Sequence, residues 1–285
     1  MEKVVNLTRK EFEKIINPKR KLGSGYDGTV YGVNLHTVYK IYHKKSDCIT
    51  IIEKGIYDSE DINIRSPKTL NNCGKRENRL PINYIDDEGV TLSKEAAIIK
   101  AIEKQQNVHL TYLPQQIVKL DGRFVGCAYK RYHTLFSIYA ASFRSPENCK
   151  RILKRLFLKI KELHENYIYP ITLVQKNPLL PFSRKNANVL LGTTNSEPYL
   201  IDLDGISAYY FDRFSESFYK QSLSSLSILI LEVLSGIDFI EPKDEFELEW
   251  IINSFVERGI PRDWVKECYD YHGVLDEEKI LHLLK

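Results

Sequence analysis

The chain has 285 residues, 43% hydrophobic and 28% charged, which is enough apolar mass for one large or two small cores of a globular protein. The formal net charge of +3 is too small to argue for nucleic acid as a partner. Five scattered cysteines (Cys48, Cys73, Cys127, Cys149, Cys268) form no C-x-x-C pair, which fits thiols in a reducing compartment better than a disulfide framework or a metal site.

The start, MEKVVNLTRKEFEK, is polar and charged and has no secretory pattern. Thr8 as N-cap with Glu11 three residues on predicts a short helix within residues 1–16. Strands are expected at about 20–26, 29–34 and 37–43, because the residues around the turn residue Asn34 are β-branched and aromatic. Residues 44–90 carry turn pairs throughout and are too long for an ordinary connection, so they read as an insertion with its own structure or a mobile flap. Ser93 then caps a helix, SKEAAIIKAIEKQQ, with Ala96, Ile98, Ile99 and Ile102 on its apolar side.

Two strands, near 116–120 and 123–129, are joined by an Asp121-Gly122 turn. After about residue 133 the pattern is mostly helical. Residues 147–165 have an apolar stripe (Ile152, Leu153, Leu156, Ile160, Leu163) and a basic opposite face (Lys150, Arg151, Lys154, Arg155, Lys159, Lys161). Such a face is ordinarily solvated; an acidic partner is the alternative. Short strands at 188–191 and 199–203 precede a helix at about 222–235 and two or three C-terminal helices punctuated by Gly259 and Pro261. The longest apolar stretch, 223–240, is interrupted by serines, Glu232, Gly236 and Asp238, so it reads as a buried core helix and predicts no membrane insertion. Cytoplasmic residence is the default expectation.

Residues 22–40, LGSGYDGTVYGVNLHTVYK, carry the strongest functional signal. Gly23, Gly25, Gly28 and Val30 have the spacing G-x-G-x-x-G-x-V, and Lys40 follows on the next apolar run. Glycines let a backbone approach phosphate oxygens and offer N–H groups to them. A lysine on the neighbouring strand can reach the same phosphates. In a dinucleotide-binding turn the same glycine spacing opens a helix; here it opens a hairpin.

In order along the chain, GSGYDGTV (23–30), VYK (38–40), a helix with Glu95, VGCAYKRY (125–132), LHENYIY (163–169), NVLL (188–191), LIDLDG (200–205) and SLSILILEVLSG (225–236) resemble the protein-kinase superfamily over most of its length. The resemblance implies an α+β, bilobal kinase-like fold. Residues 1–131 would be a β-rich, nucleotide-binding N-lobe with an insertion at about 44–90. Residues 132–285 would be a mainly helical C-lobe with catalytic-loop-like and metal-binding segments. It implies ATP and Mg²⁺ as cofactors, with Gly23, Ser24, Gly25, Gly28 and Val30 over the nucleotide and the backbone near Lys130 and Tyr132 against adenine. Tyr129 would be the gatekeeper. Lys40 would pair with Glu95 and hold the α/β-phosphates, Glu103 and Glu77 being less favoured partners. Asp202 would bind Mg²⁺. Asp204, two residues on and on the same face if the strand persists, is a second candidate ligand and a substitute catalytic base.

The chain departs from the family at the catalytic loop. Eight positions after His164, where the family has its catalytic Asp, stands Thr172, and Pro170 takes the place of the preceding His. Asn177 has the loop spacing of the metal-binding Asn, but Asn188 directly precedes VLL, its usual setting, and is preferred. The αF anchor position falls on Ser222 instead of an Asp, and residues 202–222 are short and lack A-P-E. These features predict an atypical phosphotransferase acting on a protein or small-molecule substrate. The alternatives are a pseudokinase serving as a nucleotide-binding interaction module, or a small-molecule phosphotransferase.

Overall fold

The computed structural model describes residues 3–24, 28–43, 94–104, 113–132, 135–171, 173–175, 186–192, 196–203, 208–210, 213–240, 242–270 and 276–285. The chain divides into two compact units. One comprises residues 1–133, 162–169 and 201–217; the other comprises 134–161, 170–200 and 218–285. The first boundary falls two residues from the one expected at 131/132, and two later segments return to the first unit.

The first unit is built on a six-stranded sheet. Its elements are β1 (Val4–Leu7), α1 (Arg9–Ile15), β2 (Lys21–Ser24), β3 (Gly28–Gly32), β4 (Thr37–Tyr42), α2 (Lys94–Lys104), β5 (Gln116–Leu120) and β6 (Arg123–Lys130). The strand order is β1-β5-β6-β4-β3-β2. β1 runs parallel to β5, and the other pairs are antiparallel. The strand β1 was not anticipated from sequence.

Local chemistry accounts for the element ends. Thr8 Oγ1 accepts the Glu11 N–H at 3.4 Å, and Glu11 Oε2 accepts the Thr8 N–H at 2.8 Å, the capping box expected from the sequence. Asp121 and Gly122 both have positive φ (48° and 78°), as a tight two-residue hairpin turn between β5 and β6 requires.

Side chains alternate across β4, so the sheet has two apolar faces. Tyr39 and Ile41 join Leu7, Ile15, Val118 and Ala128 in a core cluster with Phe12 of α1 packed against it. The other face holds Ile117 and Cys127 against Ile98 and Ile102 of α2. A sheet covered on both faces by helices holds its central strand in a fixed register, and that strand carries Lys40.

The remaining elements are β7 (Leu135–Ser137), a 3₁₀ turn (Ile138–Phe143), α3 (Pro146–Glu165), β8 (Ile168–Pro170), β9 (Val174–Gln175), β10 (Asn186–Ala187), β11 (Val189–Gly192), β12 (Pro198–Leu200), β13 (Ala208–Tyr210), α4 (Glu216–Ser235), α5 (Glu245–Val256), α6 (Arg262–Tyr269) and α7 (Glu277–Leu283). In the second unit β7, β11 and β12 form a small antiparallel sheet.

The α3 stripe of Ile152, Leu153, Leu156, Phe157 and Ile160 is fully buried. So is most of α4, including Leu223, Leu226, Leu229, Ile230 and Val233. A helix apolar on most sides belongs inside a core, and its polar groups must find partners there. Ser227 and Ser235 donate to the carbonyls of Leu223 and Leu231 at 2.8 and 2.7 Å. Glu232 accepts the Tyr139 hydroxyl at 2.6 Å and the Phe239 N–H at 2.7 Å. Burial beside this carboxylate pushes the Tyr139 hydroxyl far above its ordinary range. No described helix is long and apolar enough to cross a membrane. The whole is a mixed α and β architecture, with its main sheet in the first unit and its longest helices, α3 and α4, lying largely in the second.

Candidate functional site

Register places the candidate residues of the first unit in rows. Val30, Lys40 and Cys127 are direct partners across β3, β4 and β6, and Val38 faces Tyr129 in the next row. Directly opposed residues of antiparallel strands share a face, and so do residues two apart on one strand. Val30, Val38, Lys40 and Tyr129 therefore project from the same face of the sheet.

Lys40 is only 7% exposed. Its ammonium forms an ion pair with the Asp202 carboxylate, and both residues belong to the first unit. A buried ammonium requires such a partner, because desolvation otherwise disfavours its charge. Asp202 lies two residues beyond β12 and has φ of +63°. Left-handed backbone is uncommon outside glycine, although aspartate and asparagine adopt it more readily than other side chains. β12 ends at Leu200, before Asp202 is reached, and Asp204, which was to share its face if the strand persisted, lies outside the described residues.

Lys40 was expected to meet Glu95. In the structure Lys40 meets Asp202, and Glu95 Oε1 lies 2.7 Å from Lys119 Nζ. The cause is local: Glu95 sits in the first turn of α2, and α2 packs on β5, which carries Lys119. Glu103, the other described candidate, pairs with Lys3 at 3.2 Å.

The glycines have separable roles. A Cβ on Gly28 would come within 2.6 Å of the Ile41 carbonyl oxygen, so close strand packing accounts for that glycine. A Cβ on Gly23 would meet no atom within 4 Å, so nothing in the fold demands glycine there. Ser24 Oγ and Thr29 Oγ1 are 2.9 Å apart, and Thr29 Oγ1 is 2.9 Å from His43 Nε2, which ties the open ends of β2 and β3 to the end of β4. Gly25 lies outside the described residues.

At the far end of β6, Lys130 Nζ stands 6.0 Å from the centre of the Tyr132 ring. The Arg131 N–H between them already donates to the His36 carbonyl at 2.8 Å. A backbone N–H donor to a ligand at this segment falls to its neighbours.

Sequence reasoning missed Gly126. A Cβ there would overlap the Lys40 carbonyl oxygen, so β6 can lie against β4 at this row only without a side chain. A lone glycine inside a strand pattern was the available signal.

In the second unit, Leu173 is 1% exposed and held at both backbone groups. Its N–H donates to Ser225 Oγ of α4 at 2.9 Å, and its carbonyl accepts the Asn188 N–H at 2.8 Å. β9 pairs with β10, Gln175 opposite Asn186 and Val174 opposite Ala187, so a hairpin closes the excursion and returns the chain to Leu173 at Asn188. Asn188 is itself buried. On α4, Ser225 thus holds the Leu173 backbone; Ser222, which stands where the family has its anchoring Asp, is buried one turn earlier on the same helix. Thr172 and Asn177 lie outside the described residues, as do Glu77 and the 44–90 insertion.

Among the described residues no three His, Cys, Asp or Glu side chains gather as a metal-ligand set. Mg²⁺ in nucleotide sites is commonly held by one or two carboxylates plus phosphate oxygens, so Asp202 fits that donor type. The three free cysteines in the described residues are Cys127, Cys149 and Cys268. Burial pushes the Cys149 thiol up to about 11 and the Cys268 thiol higher still, so neither is a thiolate at neutral pH. No protein-family model matches the chain, and no curated protein matches it in sequence.

Proposed function

We propose that this chain is a protein-kinase-like, bilobal ATP- and Mg²⁺-binding protein, and that it acts as an atypical phosphotransferase with a degenerate catalytic loop. The observation that carries the reading is the Lys40–Asp202 pair on the sheet face that also presents Val30, Val38 and Tyr129. A nucleotide needs those features together: an apolar wall for the base, a cation for the phosphates and a carboxylate for the metal. The space around Gly23 adds room for a phosphate beside the backbone of β2. Lys40 would bind the α/β-phosphates and Asp202 the cation, which when present bridges phosphate oxygens.

Phosphoryl transfer depends mainly on positioning and electrostatics, so a missing base slows the chemistry without removing it. A second reading, a pseudokinase, is favoured by Thr172 at the catalytic position and by Glu95 being bound to Lys119. Calorimetry with ATP, with and without Mg²⁺, followed by intact-mass measurement of the protein tests both. Mg²⁺-dependent binding with added phosphate mass supports the transferase. Binding without any transfer supports the pseudokinase. Absence of binding at millimolar Mg-ATP overturns both.

A further inference from the structure

We infer that the N-terminal half of α3 is a binding site for a compact, multiply charged phosphate group, separate from the Lys40 site. The second unit has a concavity of about 420 Å³ lined by Pro146, Glu147, Lys150, Arg151, Lys154, Leu284 and Lys285. Four of the seven lining residues are cations.

Neutralisation along α3 is uneven. Toward its C-terminal half, Arg155 and Lys159 both pair with Glu197, and Lys161 pairs with Glu277 at 2.7 Å. Among the described residues, no carboxylate forms an ion pair with Lys150, Arg151, Lys154 or Lys285. Like charges this close repel one another, and a bound anion removes that repulsion.

The site is also partly organised. Arg151 Nη2 donates to Asn148 Oδ1 at 2.6 Å, and Asn148 Nδ2 donates to Ser145 Oγ at 3.0 Å. The guanidinium is thereby held with its other N–H groups available, and a pre-oriented fork suits phosphate oxygens.

Size and lining choose the ligand class. Lys150 and Lys154 are one turn apart, about 6 Å of helix rise, so the cations converge on a small volume. That matches a ligand with several charges on adjacent phosphates, not a polymer with charge spread along its length. No aromatic side chain lines the concavity, so it has no platform for stacking a base. Glu147 also lines the concavity and opposes any anion there.

The charged group can be a free oligophosphate or the phosphorylated head group of a lipid. The test uses the full chain and sodium tripolyphosphate in titration calorimetry, beside vesicles of phosphatidylcholine with and without phosphatidylinositol bisphosphate. Saturable tripolyphosphate binding is expected, weakening as salt rises. The Lys150→Glu/Lys154→Glu double variant should weaken it about tenfold or more, whereas Glu147→Gln should strengthen it. Co-sedimentation only with bisphosphate vesicles assigns the site to a head group; binding of tripolyphosphate without vesicle binding assigns it to a free anion. Absence of binding to either probe, or binding indifferent to both the double variant and Glu147→Gln, overturns the proposal. Thermal unfolding of the double variant and of Glu147→Gln should match that of the parent, because those side chains sit outside the core.

Discussion

Lys40 and Asp202 stand 162 positions apart in the chain and form one ion pair, with side chains 8% and 24% exposed. Their pairing fixes the segment after β12 to the central strand of the six-stranded sheet. It also puts a carboxylate and an ammonium of opposite roles at one point. Either can turn to a ligand of the right sign, the cation toward phosphate and the carboxylate toward a metal.

Removing the carboxylate alone leaves a buried ammonium without this partner. Asp202→Ala should therefore lower stability by about 2–3 kcal/mol, the lower end for a partly exposed member of a buried pair. Lys40→Met in the same chain should restore part of that loss. Urea unfolding of the two single variants and the double variant measures it. Additive losses would show that the two side chains are not energetically coupled.

Mg-ATP at a hundred times its dissociation constant should raise stability by roughly 2.7 kcal/mol. The rise should need Mg²⁺ in the parent and lose that dependence in Asp202→Ala. Lys40→Ala should weaken binding with or without the metal. Thermal shift across a nucleotide series measures all three, and a shift in Asp202→Ala that still requires Mg²⁺ would move the metal ligand elsewhere.

Two glycines separate fold from ligand. Gly126→Ala forces a methyl group into the Lys40 carbonyl and should cost about 1–3 kcal/mol while displacing Lys40. Gly23→Ala meets open space, so stability should hold or rise slightly. If a phosphate occupies that space, Gly23→Ala should weaken nucleotide binding despite the sound fold. Equal nucleotide affinity in Gly23→Ala and the parent would remove this glycine from the site.

What was legible in the sequence was local. Thr8 with Glu11, the Asp121-Gly122 turn, and the β-branched and aromatic run that forms β4 are each written within a few residues, and each appears in the structure. β1 was not legible: VVNL is short, and its reason to be a strand is the parallel partner β5, more than a hundred positions away. The site was legible as a list and not as pairings. Nothing near Glu95 says that α2 will present it to Lys119, and nothing near Asp202 says that its backbone turns left-handed. Ser222 and Ser225 are equivalent as sequence signals, since both are serines in an apolar run. One turn of helix decides which hydroxyl meets Leu173, and tertiary packing sets that phase.

Ser225→Ala leaves the Leu173 N–H buried without its acceptor and should cost about 1–3 kcal/mol. The loss should be larger than for Ser224→Ala, whose side chain lies on a less buried side of the same helix. Chemical denaturation compares them. Nucleotide affinity should change less than stability, because Ser225 holds the Leu173 backbone of the second unit, whereas Lys40 and Asp202 belong to the first.

The catalytic position makes the strongest demand on the proposed function. Thr172 has no acid–base group accessible near neutral pH, so it cannot take a proton from an acceptor hydroxyl. Turnover on serine, threonine or tyrosine peptides should be slow, and Thr172→Ala should leave it nearly unchanged. A positioned general base contributes roughly 10²–10⁴-fold, so Thr172→Asp should raise turnover measurably if residue 172 stands where the base belongs. Radiolabelled phosphate transfer by the parent and both variants decides it. Brisk transfer by the parent, abolished in Asp204→Asn with nucleotide binding retained, would instead assign the base to Asp204 and set aside the pseudokinase reading.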